Sequence, residues 1–168
     1  NGNRYDGEWV DDKRTGYGIY TYVNGDLYEG YFSDGKRNGK GTFRDKNGDI
    51  YEGTWKEGQM DGQGYYFFAN GDTYSGQWVK NKKAGNGVFS FSDGSEYEGS
   101  FINGQMEGSG TFTYPDGRRF NGNWLEGKME GYGTFSDLKG NRYEGDWKNN
   151  AYNGNGTFYF ANGDQYEG

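Results

Sequence analysis

Twenty-five Asp and Glu side chains, eighteen Lys and Arg, and not one His or Cys define the chemistry open to this 168-residue sequence. Paired carboxylates can share acid–base work, as in glycoside hydrolysis, only where their environments drive their pKa values apart. Here the acids recur at equivalent, solvated places; Asp6, Glu29, Glu52, Glu98, Glu144 and Glu167 form one such series. Repeated surroundings argue against an acid–base pair. Lack of His removes the commonest general base and metal ligand. Lack of Cys removes thiol chemistry and any disulfide framework. The stretch DKNGDIYE (45–52) resembles part of a calcium loop, but its glycine stands fourth instead of sixth, and no helix is expected beside it. GQGYYF (62–67) contains G-x-G without a following helix to hold phosphate. The expectation is no enzymatic activity, no metal and no cofactor.

The formal charge of −7 disfavours nucleic acid as a partner. No apolar run reaches the length of a membrane span, and no signal peptide is visible. Leu, Ile and Val supply only ten residues, yet Phe, Trp and Tyr make up 20% of the chain. Any core must therefore be aromatic, since each ring buries a large area.

A repeat of 23 residues organises these rings. Counting each unit from the aromatic of Y-x-G-x-W, the units are 5–27, 28–50, 51–73, 74–96, 97–119, 120–142 and 143–165, with partial units 1–4 and 166–168. All 34 glycines fall at positions 3, 8, 12, 14 and 21 of the unit. All five Trp occupy position 5, and position 16 is always aromatic. Such phasing marks the glycines as structural devices.

Each unit reads as two strands, at positions 1–5 and 12–18. A polar loop at positions 6–11 would join them, and a three-residue turn at N-G or D-G would lead to the next unit. Pro115 before Asp116-Gly117 suits that turn. The turn sets a register that pairs position 18 with 22, 16 with 1, 14 with 3 and 12 with 5. Positions 1, 3, 5, 12, 14 and 16 then share one face, alternating rings with glycines. The rings of positions 1, 5 and 16 are expected to lie over a bare strip of glycine backbone. The opposite face, positions 2, 4, 13, 15 and 17, is mostly polar or β-branched. The expected fold is all-β: an elongated, single-layer antiparallel meander or solenoid of stacked 23-residue β-hairpins.

These residues resemble the MORN repeat (membrane occupation and recognition nexus). Tyr51, Glu52, Gly53, Trp55, Gly58, Gly62, Gly64, Tyr66, Phe68, Asn70 and Gly71 match its pattern position by position. The resemblance spans the chain. Its departures are Phe120 for Tyr, Phe32 and Phe101 for Trp, and Asp12, Asn81 and Asn150 for Gly at position 8. It implies scaffolding, partner docking, oligomerisation and phospholipid contact, in cytoplasmic settings near cytoskeleton, cilium or membrane, or beside an attached enzyme domain.

The expected partner is a protein segment, helical or extended, lying along an aromatic–glycine groove. Its lining would be Trp9, Phe32, Trp55, Trp78, Phe101, Trp124 and Trp147, with Tyr51, Tyr74 and Tyr97. The alternatives are phosphoinositide head-group contact through Lys80, Lys82 and Lys83, the one distinctly basic loop, or a targeting or regulatory role within a larger enzyme. Anionic membranes usually need four to eight clustered bases, so membrane binding is expected to be weak or indirect. Self-association through the array ends is a further expectation, since open strand edges offer unpaired backbone groups.

Overall fold

The computed structural model describes residues 2–168. Fifteen strands follow in chain order: β1 (Arg4–Val10), β2 (Lys13–Thr21), β3 (Leu27–Ser33), β4 (Lys36–Arg44), β5 (Ile50–Lys56), β6 (Gln59–Phe67), β7 (Thr73–Val79), β8 (Lys82–Ser90), β9 (Glu96–Ile102), β10 (Gln105–Thr113), β11 (Arg119–Leu125), β12 (Lys128–Ser136), β13 (Arg142–Lys148), β14 (Ala151–Tyr159) and β15 (Gln165–Glu167). Spatial order equals chain order in one open antiparallel sheet, and no helix occurs among the described residues. The chain divides into two compact units, residues 1–83 and 84–168.

The turn between successive 23-residue repeats is the one expected. Within the first unit, the Gly71 amide donates to the Phe68 carbonyl and the Phe68 amide to Asp72, closing a type I turn with a glycine bulge. Tyr66 then faces Tyr74, Gly64 faces Gly76 and Gly62 faces Trp78. In the second unit, the same turn encloses Pro115, with the Gly117 amide bonded to Tyr114.

The connection within each repeat is different. The polar loop read at positions 6–11 is a two-residue hairpin turn at positions 7 and 8. Glu57 and Gly58 both have positive φ, 50° and 84°, as the hairpin type I′ turn demands. Pairing resumes at once: Lys56 faces Gln59 and Trp55 faces Met60. A bulge follows, with Gly62 at φ 103°. The second strand therefore begins at position 9, three residues before the expected start. The polar side chains hid this turn because alternate residues of a solvated hairpin tip are polar whether paired or looped.

This shift brings position 10 opposite position 5 and onto the aromatic face. Arg14, Arg37, Met60 and Lys83 in the first unit, and Met106, Met129 and Tyr152 in the second, are strand residues, not loop residues. Met129 is buried.

Adjacent hairpins are also tied at both turn edges. The Gly58 amide donates to the Arg37 carbonyl at 2.9 Å. At the other edge the Asp49 carboxylate accepts from the Ala69 amide (2.8 Å) and the Tyr66 hydroxyl (2.9 Å).

Candidate functional site

The aromatic face builds a core from one sheet layer. Tyr51 lies across Gly53 and Gly64 so closely that a Cβ on Gly64 would sit 2.4 Å from its ring. Its hydroxyl donates to the Thr54 carbonyl at 2.9 Å. The Trp55 indole stands edge-on to Tyr51 at 5.1 Å and to Tyr28 at 5.3 Å, donating Nε1 to the Gly41 carbonyl. In the second unit, Trp124 and Trp147 repeat that bond to Gly110 and Gly133. Every buried side-chain nitrogen and oxygen among the described residues has a partner.

The rings of the expected groove are consequently buried. Tyr74 and Tyr97 are 0% exposed, Tyr51 1%, and Phe32, Trp55, Trp78, Phe101, Trp124 and Trp147 no more than 6%. Burial pushes the Tyr74 and Tyr97 hydroxyls up to about 12. Only Trp9 of that set is exposed. Half-buried rings at positions 16 and 18, such as Tyr66 and Phe68, form the outer layer of this face.

The cations of position 10 cover the same rings. Arg37 stacks 4.0 Å from the Trp55 ring centre and donates to the Gly58 carbonyl at 2.7 Å. Its burial lowers the guanidinium pKa. The three lysines of the basic loop are separated by the fold. Lys80 lies in the turn and Lys82 is exposed at the start of β8. Lys83 turns to the aromatic face, 5.6 Å from the Tyr74 ring centre, where burial lowers its pKa. The stretch 45–52, which only partly resembles a calcium loop, begins as an inter-hairpin turn in which Asp45 accepts from the Asn47 amide. No metal-holding cluster of acids occurs among the described residues.

The opposite face of the first unit carries an open groove of about 700 Å³. Two side-chain rows line it. One runs Glu29, Thr42, Glu52, Tyr65 across β3, β4, β5 and β6 in direct register. The other begins with the facing pair Tyr17 and Tyr31 and continues with Lys40 opposite Thr54. Tyr17, Tyr31 and Tyr65 are 47%, 50% and 46% exposed. Tyr17 meets Tyr31 edge to face at 5.5 Å and donates its hydroxyl to Glu29 Oε1 at 2.6 Å, which raises the Tyr17 pKa. These tyrosines are not needed to close the core. Sequence reasoning passed over them because they fall at positions 13, 4 and 15, which hold polar residues in most units.

The corresponding face of the second unit differs. Its row reads Val88, Glu98, Thr111, Asn121, Thr134, Glu144, Thr157, Glu167. Asn121 donates to the Thr111 hydroxyl at 2.7 Å, and Arg142 pairs with Glu144 at 3.1 Å. Small hydroxyl and amide groups replace the ring of this row. Of the neighbouring tyrosine pair only one member has a counterpart, Tyr132, which is 59% exposed and stands opposite Asp146.

The family model for the MORN repeat matches residues 5–27, 28–50, 51–73, 74–96, 97–118, 120–142 and 143–165. No curated protein matches the chain. Among solved structures, the chain is similar to the TCP domain of Drosophila melanogaster SAS-4 (dCPAP) in complex with a proline-rich motif of Ana2 (dSTIL). The TM-score is 0.56 at 16% identity, over 90% of this chain and 83% of that one. The TCP10c domain of Drosophila melanogaster Sas-4 gives a TM-score of 0.51 at 16% identity, over 90% and 91%. At that identity the likeness is one of fold.

Proposed function

The chain belongs to the MORN repeat family, and from that premise we propose that it is a non-catalytic scaffold module that docks a segment of a partner protein. The observation that carries this reading is the open groove lined by Tyr17, Tyr31 and Tyr65. Half-exposed tyrosines are typical anchors of protein interfaces, and here they stand on a rigid sheet whose own core lies on the other side. The docking surface in this reading is therefore the tyrosine groove; the rings of positions 1 and 5 serve as its foundation. The Drosophila SAS-4 domain, which shares the open-sheet fold, is described with a bound proline-rich motif. That likeness supports a peptide ligand by analogy. The cytoplasmic, cytoskeletal or ciliary setting that the family implies belongs to the same proposal.

Selection of displayed peptides on the immobilised chain, followed by NMR mapping of a selected peptide, tests the reading. Amide shifts concentrated on β2 to β6 around Glu29, Tyr31, Glu52 and Tyr65 are expected. Shifts confined to the Tyr66 and Phe68 side would place docking on the aromatic face and overturn the choice of surface.

A further inference from the structure

The tyrosine groove also carries a spacing and a charge, and together they specify a ligand. Glu29 and Glu52 sit two strands apart in one row, with Thr42 between them. At ~4.8 Å per strand their backbones are about 9.6 Å apart. A polyproline-II segment advances ~3.1 Å per residue with three residues per turn, so like-facing side chains recur every ~9.3 Å. An extended strand covers a similar distance in three residues, but its period of two turns the third side chain to the wrong face. An α-helix at 1.5 Å per residue covers that distance in about six residues, which is not a whole number of turns. Two helical turns rise ~10.8 Å, about 1.2 Å past the spacing, so the polyproline-II segment, within about 0.3 Å, keeps the closest step with the repeat.

Resting on the docking reading above, we propose that the groove of the first unit binds a polyproline-II segment that lies across β3 to β6. The segment carries Arg or Lys at every third position, facing Glu29 and Glu52, with prolines packed against Tyr17, Tyr31 and Tyr65. Exposed tyrosine rings suit proline, as in other aromatic-lined grooves for such segments. The carboxylates of Glu29 and Glu52 supply the charge that selects a base. Lys40 is the one cation lining the groove, and it disfavours a base placed directly over it. The second unit repeats the carboxylate spacing at Glu144, Thr157 and Glu167. There, however, Arg142 pairs with Glu144, and Asp146 stands opposite Tyr132 where Tyr31 stands opposite Tyr17, so it lacks the ring pair and is not the site.

The test is fluorescence anisotropy with a labelled nonapeptide of three Arg-Pro-Pro triplets, against a peptide of the same composition with its three arginines together. The triplet peptide is expected to bind with a Kd of about 10–100 μM at low salt. The blocked peptide should bind at least about fivefold more weakly, although screening treats equal charges alike. Glu29→Gln with Glu52→Gln should weaken the triplet peptide about tenfold or more, and Lys40→Glu should tighten it. All three residues are exposed, and circular dichroism confirms folding of each variant. Equal binding of the two peptides, or insensitivity to the Glu29 and Glu52 changes, overturns the proposal. If a display-selected segment binds and Tyr65→Ala weakens it while the triplet peptide fails, the docking reading stands and the proline-and-base assignment falls. If no segment of any kind binds the groove, both fall.

Discussion

Two glycines of one repeat, Gly64 in β6 and Gly58 in the turn before it, are required for different reasons. Gly64 is glycine because Tyr51 occupies the space of a side chain, whereas Gly58 has nothing within 4 Å but holds a φ of 84°. Gly64→Ala should destabilise by about 2–3 kcal/mol, as overpacking does. Gly58→Ala should cost about 1 kcal/mol, the strain of a left-handed alanine. Urea unfolding of the two variants checks the order, and a larger loss at Gly58 would contradict the ring-over-glycine core. The buried hydroxyls predict a pH response as well. Tyr74 and Tyr97 are raised to about 12 from an ordinary 10 by burial. A raised folded pKa contributes stability below pH 10 that is lost as pH climbs through the folded value. The midpoint of urea unfolding should therefore fall between about pH 10 and 12, and Tyr74→Phe with Tyr97→Phe should flatten that fall.

At the scale of the hairpin, the tight turns carry their own strain. Glu126 sits in a type I′ turn at φ 50°, where Asn is far better tolerated than Glu. Glu126→Asn should raise stability by ~0.5–1 kcal/mol in thermal or urea unfolding. Asp49 links two turns through the Ala69 amide and the Tyr66 hydroxyl. Asp49→Ala should cost about 2 kcal/mol, because hydrogen bonds to a charged acceptor are the stronger kind. A neutral result would mean that the turns are held by strand pairing alone.

For the whole molecule, charge governs what the sheet meets. The net charge of −7 repels anionic surfaces, and Lys83 spends its amine on the aromatic face instead of the loop. Flotation with phosphoinositide-containing liposomes should show weak binding that fades at physiological salt, where the Debye length is ~8 Å. Whatever binding exists should depend on Lys80 and Lys82 more than on Lys83. Tight, salt-resistant flotation would contradict this and point to apolar insertion.

The 23-residue phase of the glycines and rings makes the hairpin register legible in the sequence itself: Tyr66 opposite Tyr74, Gly64 opposite Gly76, and the turn closed by Gly71. Those features follow from local chemistry, since only glycine tolerates the turn or the ring above it, and the period counts strands directly. The two-residue turn at Glu57-Gly58 was not legible, because a polar hairpin tip and a polar loop have the same composition. That turn and its equivalents at Asp34-Gly35 and Lys80-Asn81 place Met60, Arg37 and Lys83 on the aromatic face. Nor did the residues reveal which rings would remain open. Tyr51 and Trp55 looked like available anchors, and neighbouring hairpins buried them; Tyr17, Tyr31 and Tyr65 looked like scattered surface residues, and cross-strand pairing gathered them into one groove. Side-chain identity follows the chain, but exposure is set by what the adjacent strands bring, and only the folded sheet decides that.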